Sequence, residues 1–143
     1  MNDPIVIEQQ TSATPEAVYR CLTQSDVWIR WQGASADLNP EPAGLFSMTM
    51  PDNRTARGEY VEVIPNRRIV FTWGWVDMPG LPPGSTTVTI DLEENEDGTL
   101  IRLTHSDLSP EEATMHLLGW IHYLGRLSTL AGGVDPGPDP GPM

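Results

Sequence analysis

The chain has 143 residues, with 20 acidic and 8 basic side chains and a formal net charge of −12. That length fits one domain with its own core. The acidic balance excludes nucleic acid and anionic membranes as expected partners, because both require basic surfaces. The sequence shows no apolar run of about 18 residues and no signal-peptide pattern, so we expect a cytoplasmic protein. Its one cysteine, Cys21, agrees with a reducing compartment.

The first 32 residues predict one strand followed by two short helices. Residues 5–10 are rich in β-branched side chains and predict the strand. Thr14, followed by proline and glutamate, is a typical N-cap and predicts a helix over residues 15–22. Ser25 is expected to cap a second short helix over residues 26–32.

From residue 33 to residue 106, apolar and polar side chains alternate with the period of two that indicates strands. Pro65 and Asn66 separate two of these strands and predict a tight hairpin. A proline- and glycine-rich stretch at 76–84 predicts a loop, and the acidic stretch at 93–98 predicts a hairpin turn. The predicted strands cover residues 45–50, 57–64, 67–75, 86–92 and 99–105.

A long helix is predicted near the C-terminus. Ser109 caps it, Pro110 occupies its first position, and Glu112 completes a capping box. The helix is expected to extend to about residue 131, where two glycines end it. Its predicted apolar arc consists of Leu117, Trp120, Ile121, Leu124, Leu127 and Ala131.

Strands that are segregated from helices indicate an α+β fold, in which the long helix covers the apolar face of an antiparallel sheet. Residues 132–143 are mainly proline, glycine and aspartate. We expect them to form a disordered tail outside the domain of residues 1–131.

Three segments resemble a known family: residues 14–31, residues 58–73 (GEYVEVIPNRRIVFTW) and residues 98–105 (GTLIRLTH) with the capped helix after them. Together they resemble the SRPBCC (START-like, Bet v-like) superfamily. Within it, they are similar to the C-terminal domain of the activator of the heat-shock-protein-90 ATPase. The resemblance covers residues 1–131. It implies a helix-grip fold, with a curved antiparallel sheet of six to seven strands around the C-terminal helix and a cavity between them.

Large aromatic and methionine side chains on the predicted inner face of the sheet oppose the apolar arc of the long helix. Such side chains are typical linings for apolar ligands, and the alternative at each position is core packing. The resemblance favours the pocket. The candidate ligand-binding residues are Phe46, Met48, Phe71, Trp73, Trp75, His105, Leu117, Trp120, Tyr123 and Leu124.

His105 is the one weak catalytic candidate. A neutral imidazole that faces a cavity could orient a polar ligand group or act as a base, and the alternative is a local hydrogen bond in the turn before Ser109. His116 and His122 do not show metal-ligand spacing, so a metal is not expected. We expect no other cofactor. The sequence contains no phosphate loop and no nucleophile motif.

These observations predict a domain that binds a small hydrophobic or aromatic molecule. One alternative is a cyclase- or hydrolase-type enzyme that uses His105 with a tyrosine or an acid of the pocket. Another is a protein-interaction domain resembling the chaperone activator. The expected partner is a small apolar molecule, and the sequence leaves open whether the chain also forms a homodimer.

Overall fold

Residues 3–141, which the computed structural model describes, form a curved antiparallel sheet of seven strands around one long helix. Two short helices follow the first strand. The prediction of an α+β, helix-grip fold is confirmed. In chain order the elements are β1 (Ile5–Thr11), α1 (Pro15–Thr23), α2 (Ser25–Trp28), β2 (Ser35–Leu38), β3 (Leu45–Thr49), β4 (Thr55–Ile64), β5 (Arg68–Trp73), β6 (Thr86–Asn95), β7 (Gly98–Ser106) and α3 (Pro110–Ala131).

The strands lie in the order β1-β7-β6-β5-β4-β3-β2, and all neighbouring strands are antiparallel. The first strand returns to pair with the last one, so that Ile5 lies opposite His105. The long helix α3 packs against β1 and α1. Both ends of the domain therefore meet at one edge of the sheet, beside α3.

The alternation of apolar and polar residues correctly predicts which side chains lie on the inner face of the sheet. Side chains that the period of two assigns to one face are buried in a single hydrophobic core. They include Phe46, Met48, Ile69, Phe71, Trp73, Val88, Ile90, Ile101 and Leu103.

Strand β2 was not expected from the sequence. It is four residues long, and only Ala36 and Leu38 are apolar and half-buried. It lies at the edge of the sheet and pairs with β3 alone. So short a strand gives only two repeats of the apolar–polar alternation, which is too little to separate it from a loop.

The predicted strand over residues 67–75 is wrong at its end, because β5 stops at Trp73. Gly74 has no room for a side chain, since a Cβ atom there would lie 1.7 Å from the carbonyl oxygen of Pro82. The backbone N–H of Trp75 leaves the ladder to β6 and donates to the carbonyl of Leu81 at 2.7 Å. The loop folds back onto the end of β5 and orients Trp75.

The predicted two-residue hairpin between β4 and β5 is a three-residue turn. Ile64 pairs with Arg68, and the N–H of Arg67 donates to the carbonyl of Ile64 at 3.0 Å. Asn66 adopts the left-handed conformation with a φ of 64°, which asparagine tolerates better than most residues. The extra residue in the turn is Arg67.

The two short helices differ in how they begin. The side chain of Thr14 accepts a hydrogen bond from the N–H of Ala17 at 3.2 Å, so the predicted cap of α1 is confirmed. The predicted cap of the second helix is wrong, because Ser25 lies inside α2. Its Oγ accepts from the backbone N–H of Leu38 at 3.0 Å and joins α2 to β2.

Helix α3 begins as predicted, since the Ser109 side chain accepts from the N–H of Glu112 at 3.3 Å. The predicted apolar arc is wrong for Ile121, which is 52% exposed. The buried stripe includes Tyr123, which hydrogen-bonds to Asp139 near the C-terminus, and leaves out Ile121, which nothing covers among residues 3–141. The buried residues of α3 are Trp120, Tyr123, Leu124, Leu127 and Leu130.

Gly58 in β4 tests the close packing of the sheet. A Cβ atom at Gly58 would lie 1.9 Å from the carbonyl oxygen of Thr72, whereas one at Gly125 in α3 meets nothing within 4 Å. We expect Gly58→Ala to lower the free energy of unfolding by roughly 2 kcal/mol or more. Gly125→Ala should raise it by about 0.5–1 kcal/mol, because alanine is the better helix former. Urea unfolding measures both, and equal midpoints for the two variants would contradict the β4–β5 packing.

Candidate functional site

A cavity of about 440 Å³ lies between the first half of α3 and the inner face of the sheet. This volume falls within the range of small-molecule sites, about 300–1,000 Å³. The lining side chains come from five parts of the chain, namely Gln32, the β3–β4 turn (50–54), the end of β5 with the following loop (73–78), α3 (112–123) and the C-terminal segment (139–141).

The structure brings four of the predicted ligand-binding residues to the wall of this cavity, and they are Trp73, Trp75, Trp120 and Tyr123. The other predicted residues lie elsewhere. Leu117 is half-buried on α3 outside the cavity. The remaining ones are fully buried in the core, namely Phe46, Met48, Phe71, His105 and Leu124.

Trp73 stands where the core and the cavity meet. Its ring centroid lies 5.4 Å from that of Trp75 and 5.2 Å from that of Trp120. On its other side the centroid of Phe46 lies at 5.8 Å. The aromatic wall is therefore the end of the aromatic core, so the pocket and core interpretations both apply to Trp73.

His105 holds Trp120 in place through a chain of hydrogen bonds. The indole N–H of Trp120 donates to His105 Nδ1 at 3.0 Å, so the neutral ring carries its proton on Nε2. That N–H donates to Thr86 Oγ1 at 2.9 Å, and the Thr86 hydroxyl donates to the carbonyl of Trp73 at 2.7 Å. Burial, and then the neighbouring His116, lower the pKa of His105 to about 3. Both ring nitrogens are engaged, and the ring does not face the cavity.

His116 holds Trp75 in the same manner, and unlike His105 it lines the cavity. The indole N–H of Trp75 donates to His116 Nε2 at 3.2 Å, while His116 Nδ1 donates to the carbonyl of Glu112 at 2.8 Å. Burial lowers the pKa of His116, so its ring is neutral at pH 7. Sequence reasoning missed this role, because nothing in the sequence pairs Trp75 with a residue 41 positions further along the chain.

Two buried polar side chains of the cavity wall have no hydrogen-bond partner within residues 3–141. They are Gln32, through Oε1, and Trp73, through its indole Nε1. Gln32 is 5% exposed and Trp73 is 2% exposed. A buried polar group without a partner costs about 1–3 kcal/mol. A bound molecule that supplies those partners would recover that cost.

Charged side chains occupy the rim of the cavity. Asp52 and Arg54 pair at 2.7 Å, and the Arg54 guanidinium lies 5.0 Å from the centre of the Trp75 ring. Hydrogen bonds from the backbone and then the side chain of Arg54 lower the pKa of Asp52. Glu112 and Asp139 add two further carboxylates.

The C-terminal segment of residues 135–141 folds back against α3. Asp139 accepts hydrogen bonds from His122 Nε2 at 2.7 Å and from the backbone N–H of Gly141 at 2.8 Å. Burial by itself would raise the pKa of Asp139, but these hydrogen bonds and the one from Tyr123 lower it. Asp139 therefore stays ionised and lines the cavity. The mobility expected of this tail stays a prediction.

Residues 3–141 contain no group of three or more histidine, cysteine, aspartate and glutamate side chains that could hold a metal ion. In the same part of the chain, no helix is both long and apolar enough to cross a membrane.

Sequence comparison matches residues 12–132 to the family described as activator of Hsp90 ATPase homolog 1-like protein. None of the curated proteins matches the chain in sequence.

Three similar solved structures place the fold in context. An AHSA1-like protein from Rhizobium etli is 45% identical, with a TM-score of 0.76 over 98% of this chain and 89% of that one. A protein from Mesorhizobium loti is 25% identical, with a TM-score of 0.81 over 90% and 96% of the two chains. The Aha1 dimer from Colwellia psychrerythraea, at 20% identity, has a TM-score of 0.77 over 96% and 100%.

The buried neutral His105 should make stability depend on pH. Its pKa in the folded state, about 3, lies below the unfolded value of about 6.5, so the unfolded chain binds the proton first. The contribution is fully present above about pH 6.5 and is lost as the pH falls toward 3, by about 1.4 kcal/mol per pH unit.

We expect His105→Gln to reduce the slope of unfolding free energy against pH between about pH 6 and pH 5 by nearly that amount. Trp120→Phe is the control, because it removes the N–H donor but keeps the titrating ring. Urea unfolding at several pH values measures the slopes. A slope in His105→Gln equal to that of the wild type would contradict a neutral, buried His105.

Proposed function

Because the chain belongs to the family of activator of Hsp90 ATPase homolog 1-like proteins, within the SRPBCC superfamily, we propose that it binds a small hydrophobic or aromatic molecule in the cavity beside Trp73, Trp75 and Trp120. Members of this family commonly bind hydrophobic ligands. The observation that carries the proposal is an aromatic-walled cavity of about 440 Å³ whose wall contains two buried polar atoms without partners.

The aromatic wall is held in position before any ligand arrives. Trp120 is bonded to His105 and Trp75 to His116, so two of the three indole rings are fixed by hydrogen bonds as well as by packing. A binding surface that is already ordered loses less conformational entropy on binding. The ligand contacts rigid aromatic faces, and its orientation is set by the few polar groups among them.

Binding is favoured over catalysis by the state of the two histidines. In each ring the one unprotonated nitrogen already accepts an indole N–H, so neither His105 nor His116 presents a free base to a ligand. The candidate role of His105 in a cyclase or hydrolase reaction would require Trp120 to move first.

Self-association through α3 is a second proposal. Met115, Leu118 and Ile121 recur at intervals of three on α3 and form an exposed apolar stripe, which starts at the cavity because Met115 also lines it. They are 68%, 60% and 52% exposed. The Aha1 protein from Colwellia psychrerythraea was solved as a dimer of the same fold. We propose that a second copy of this chain covers the stripe.

A cavity-filling variant tests ligand binding. Gly119 lines the cavity, and Gly125 on the same helix does not; a Cβ atom at either position meets nothing within 4 Å. We expect wild type to bind the neutral fluorescent probe N-phenyl-1-naphthylamine. Gly119→Leu should weaken this binding roughly tenfold or more, because its side chain occupies the cavity, and Gly125→Leu should bind as wild type does.

Fluorescence titration gives the three dissociation constants, and thermal melts confirm that the variants are folded. The proposal fails if wild type shows no saturable binding, or if Gly119→Leu binds the probe as tightly as Gly125→Leu.

Leu118→Glu tests self-association, because it places a charge in the centre of the apolar stripe. We expect sedimentation velocity to show dimers of wild type at micromolar concentration and monomers of Leu118→Glu. Val61→Glu is the control, because Val61 lies on β4 away from the stripe and is 54% exposed, and this variant should remain dimeric. A monomeric wild type at every concentration measured would reject the dimer.

A further inference from the structure

The charges around the cavity favour one class of ligand within the proposed function. We infer that the molecule bound there is an organic cation, with a protonated amine or guanidine carried on an aromatic or other apolar body. This inference rests on the proposed ligand binding and adds the charge of the ligand to it.

Acidic side chains outnumber basic ones among the described residues that line the cavity. Asp52, Glu112 and Asp139 contribute three carboxylates, and Arg54 is the one arginine among the described residues that line it. His116, the histidine in the wall, is neutral and does not offset them. The chain as a whole carries a net charge of −12, which adds to the negative potential. Such a field attracts cations and repels anions.

The aromatic wall offers faces that bind cations. The electron-rich face of an indole ring attracts an ammonium or guanidinium group within about 6 Å of its centre. The wall already shows this contact, because the Arg54 guanidinium lies 5.0 Å from the centre of the Trp75 ring. Trp73, Trp120 and Tyr123 line the same cavity and are aromatic as well.

The partnerless side chains suit the same ligand. Gln32 Oε1 is an acceptor without a donor, and an ammonium or guanidinium N–H would supply one. The indole N–H of Trp73 is a buried donor without an acceptor. A hydroxyl, ether or carbonyl oxygen on the ligand could accept its hydrogen bond if the ring shifted to expose the N–H.

A carboxylate ligand of the fatty-acid type fits this cavity poorly. The Arg54 side chain that would receive it is already paired with Asp52 at 2.7 Å. A bound carboxylate would also lie near Glu112 and Asp139 without a free cation to balance them. Like charges in contact at a binding site cost affinity.

Three probes that share one naphthalene ring and differ in charge test the inference. They are 2-naphthylmethylammonium, the neutral 2-naphthylmethanol and the anionic 2-naphthoate. Isothermal titration at low salt measures their dissociation constants. We expect the cation to bind at least tenfold more tightly than the anion and more tightly than the alcohol. The preference should shrink at about 0.5 M salt, where exposed charges are screened.

Two neighbouring glutamates on α3 give a matched pair of variants. Glu112 lines the cavity, and Glu111 is exposed beside it and does not. We expect Glu112→Gln to weaken binding of the cation about threefold to tenfold and to leave the alcohol unchanged. Glu111→Gln should leave both unchanged, although it removes the same formal charge.

The possible outcomes separate this inference from the proposed function. Binding of the alcohol or the anion as tightly as the cation overturns the cationic ligand and leaves ligand binding in place. An equal effect of Glu112→Gln on the cation and the alcohol also overturns it, since that result indicates a change of shape. Absence of binding by all three probes overturns both the inference and the proposed function.

Discussion

The cavity depends on two neutral histidines that accept hydrogen bonds from tryptophans. His105 fixes Trp120, and His116 fixes Trp75, each through its one unprotonated ring nitrogen. The two imidazole rings lie 5.2 Å apart between their centroids, so they support adjacent parts of the same wall. If either ring were protonated, its N–H would face an indole N–H, two donors would meet, and the bond would be lost. Burial keeps the rings neutral and so keeps the wall in place.

The third tryptophan of the wall differs from the other two. Trp73 is packed among aromatic rings on both sides, but its indole N–H has no partner within residues 3–141. Packing alone therefore orients this ring, and its polar atom is buried without a partner. Gln32, through Oε1, is the other side chain of the cavity wall with a buried polar atom that lacks a partner within residues 3–141.

The fold could be predicted from the sequence further than the site could. The period-two alternation correctly predicted which side chains lie on the inner face of the sheet. Ser109 and Glu112 correctly predicted where α3 starts. Both predictions succeeded because they depend on residues close together in the sequence. The error at Ile121 arose because the burial of a helix face depends on which other segments cover it, and the sequence does not show that Asp139 covers α3 at Tyr123 instead. The end of β5 at Gly74 depends on a contact with Pro82, eight residues later in a loop whose path the sequence does not predict.

The site depends on contacts between distant parts of the chain, and that is why sequence reasoning found only part of it. Stripes of aromatic residues predicted Trp73, Trp75, Trp120 and Tyr123, but the same pattern also describes Phe46 and Phe71, which are core. Trp73 is the last residue of β5 and reaches the cavity, whereas Phe71 lies further inside the same strand and is core. Nothing local in the sequence indicated that a proline-rich tail would bring a carboxylate to the cavity.

The protonation of the two histidines tests the central claim most directly. Long-range ¹H–¹⁵N NMR correlations of the imidazole rings identify the protonated nitrogen in each. The hydrogen bonds require His105 with its proton on Nε2 and His116 with its proton on Nδ1, both neutral at pH 7. Detection of these opposite tautomers would support the account. An imidazolium at either position, or the reverse tautomer, would contradict it.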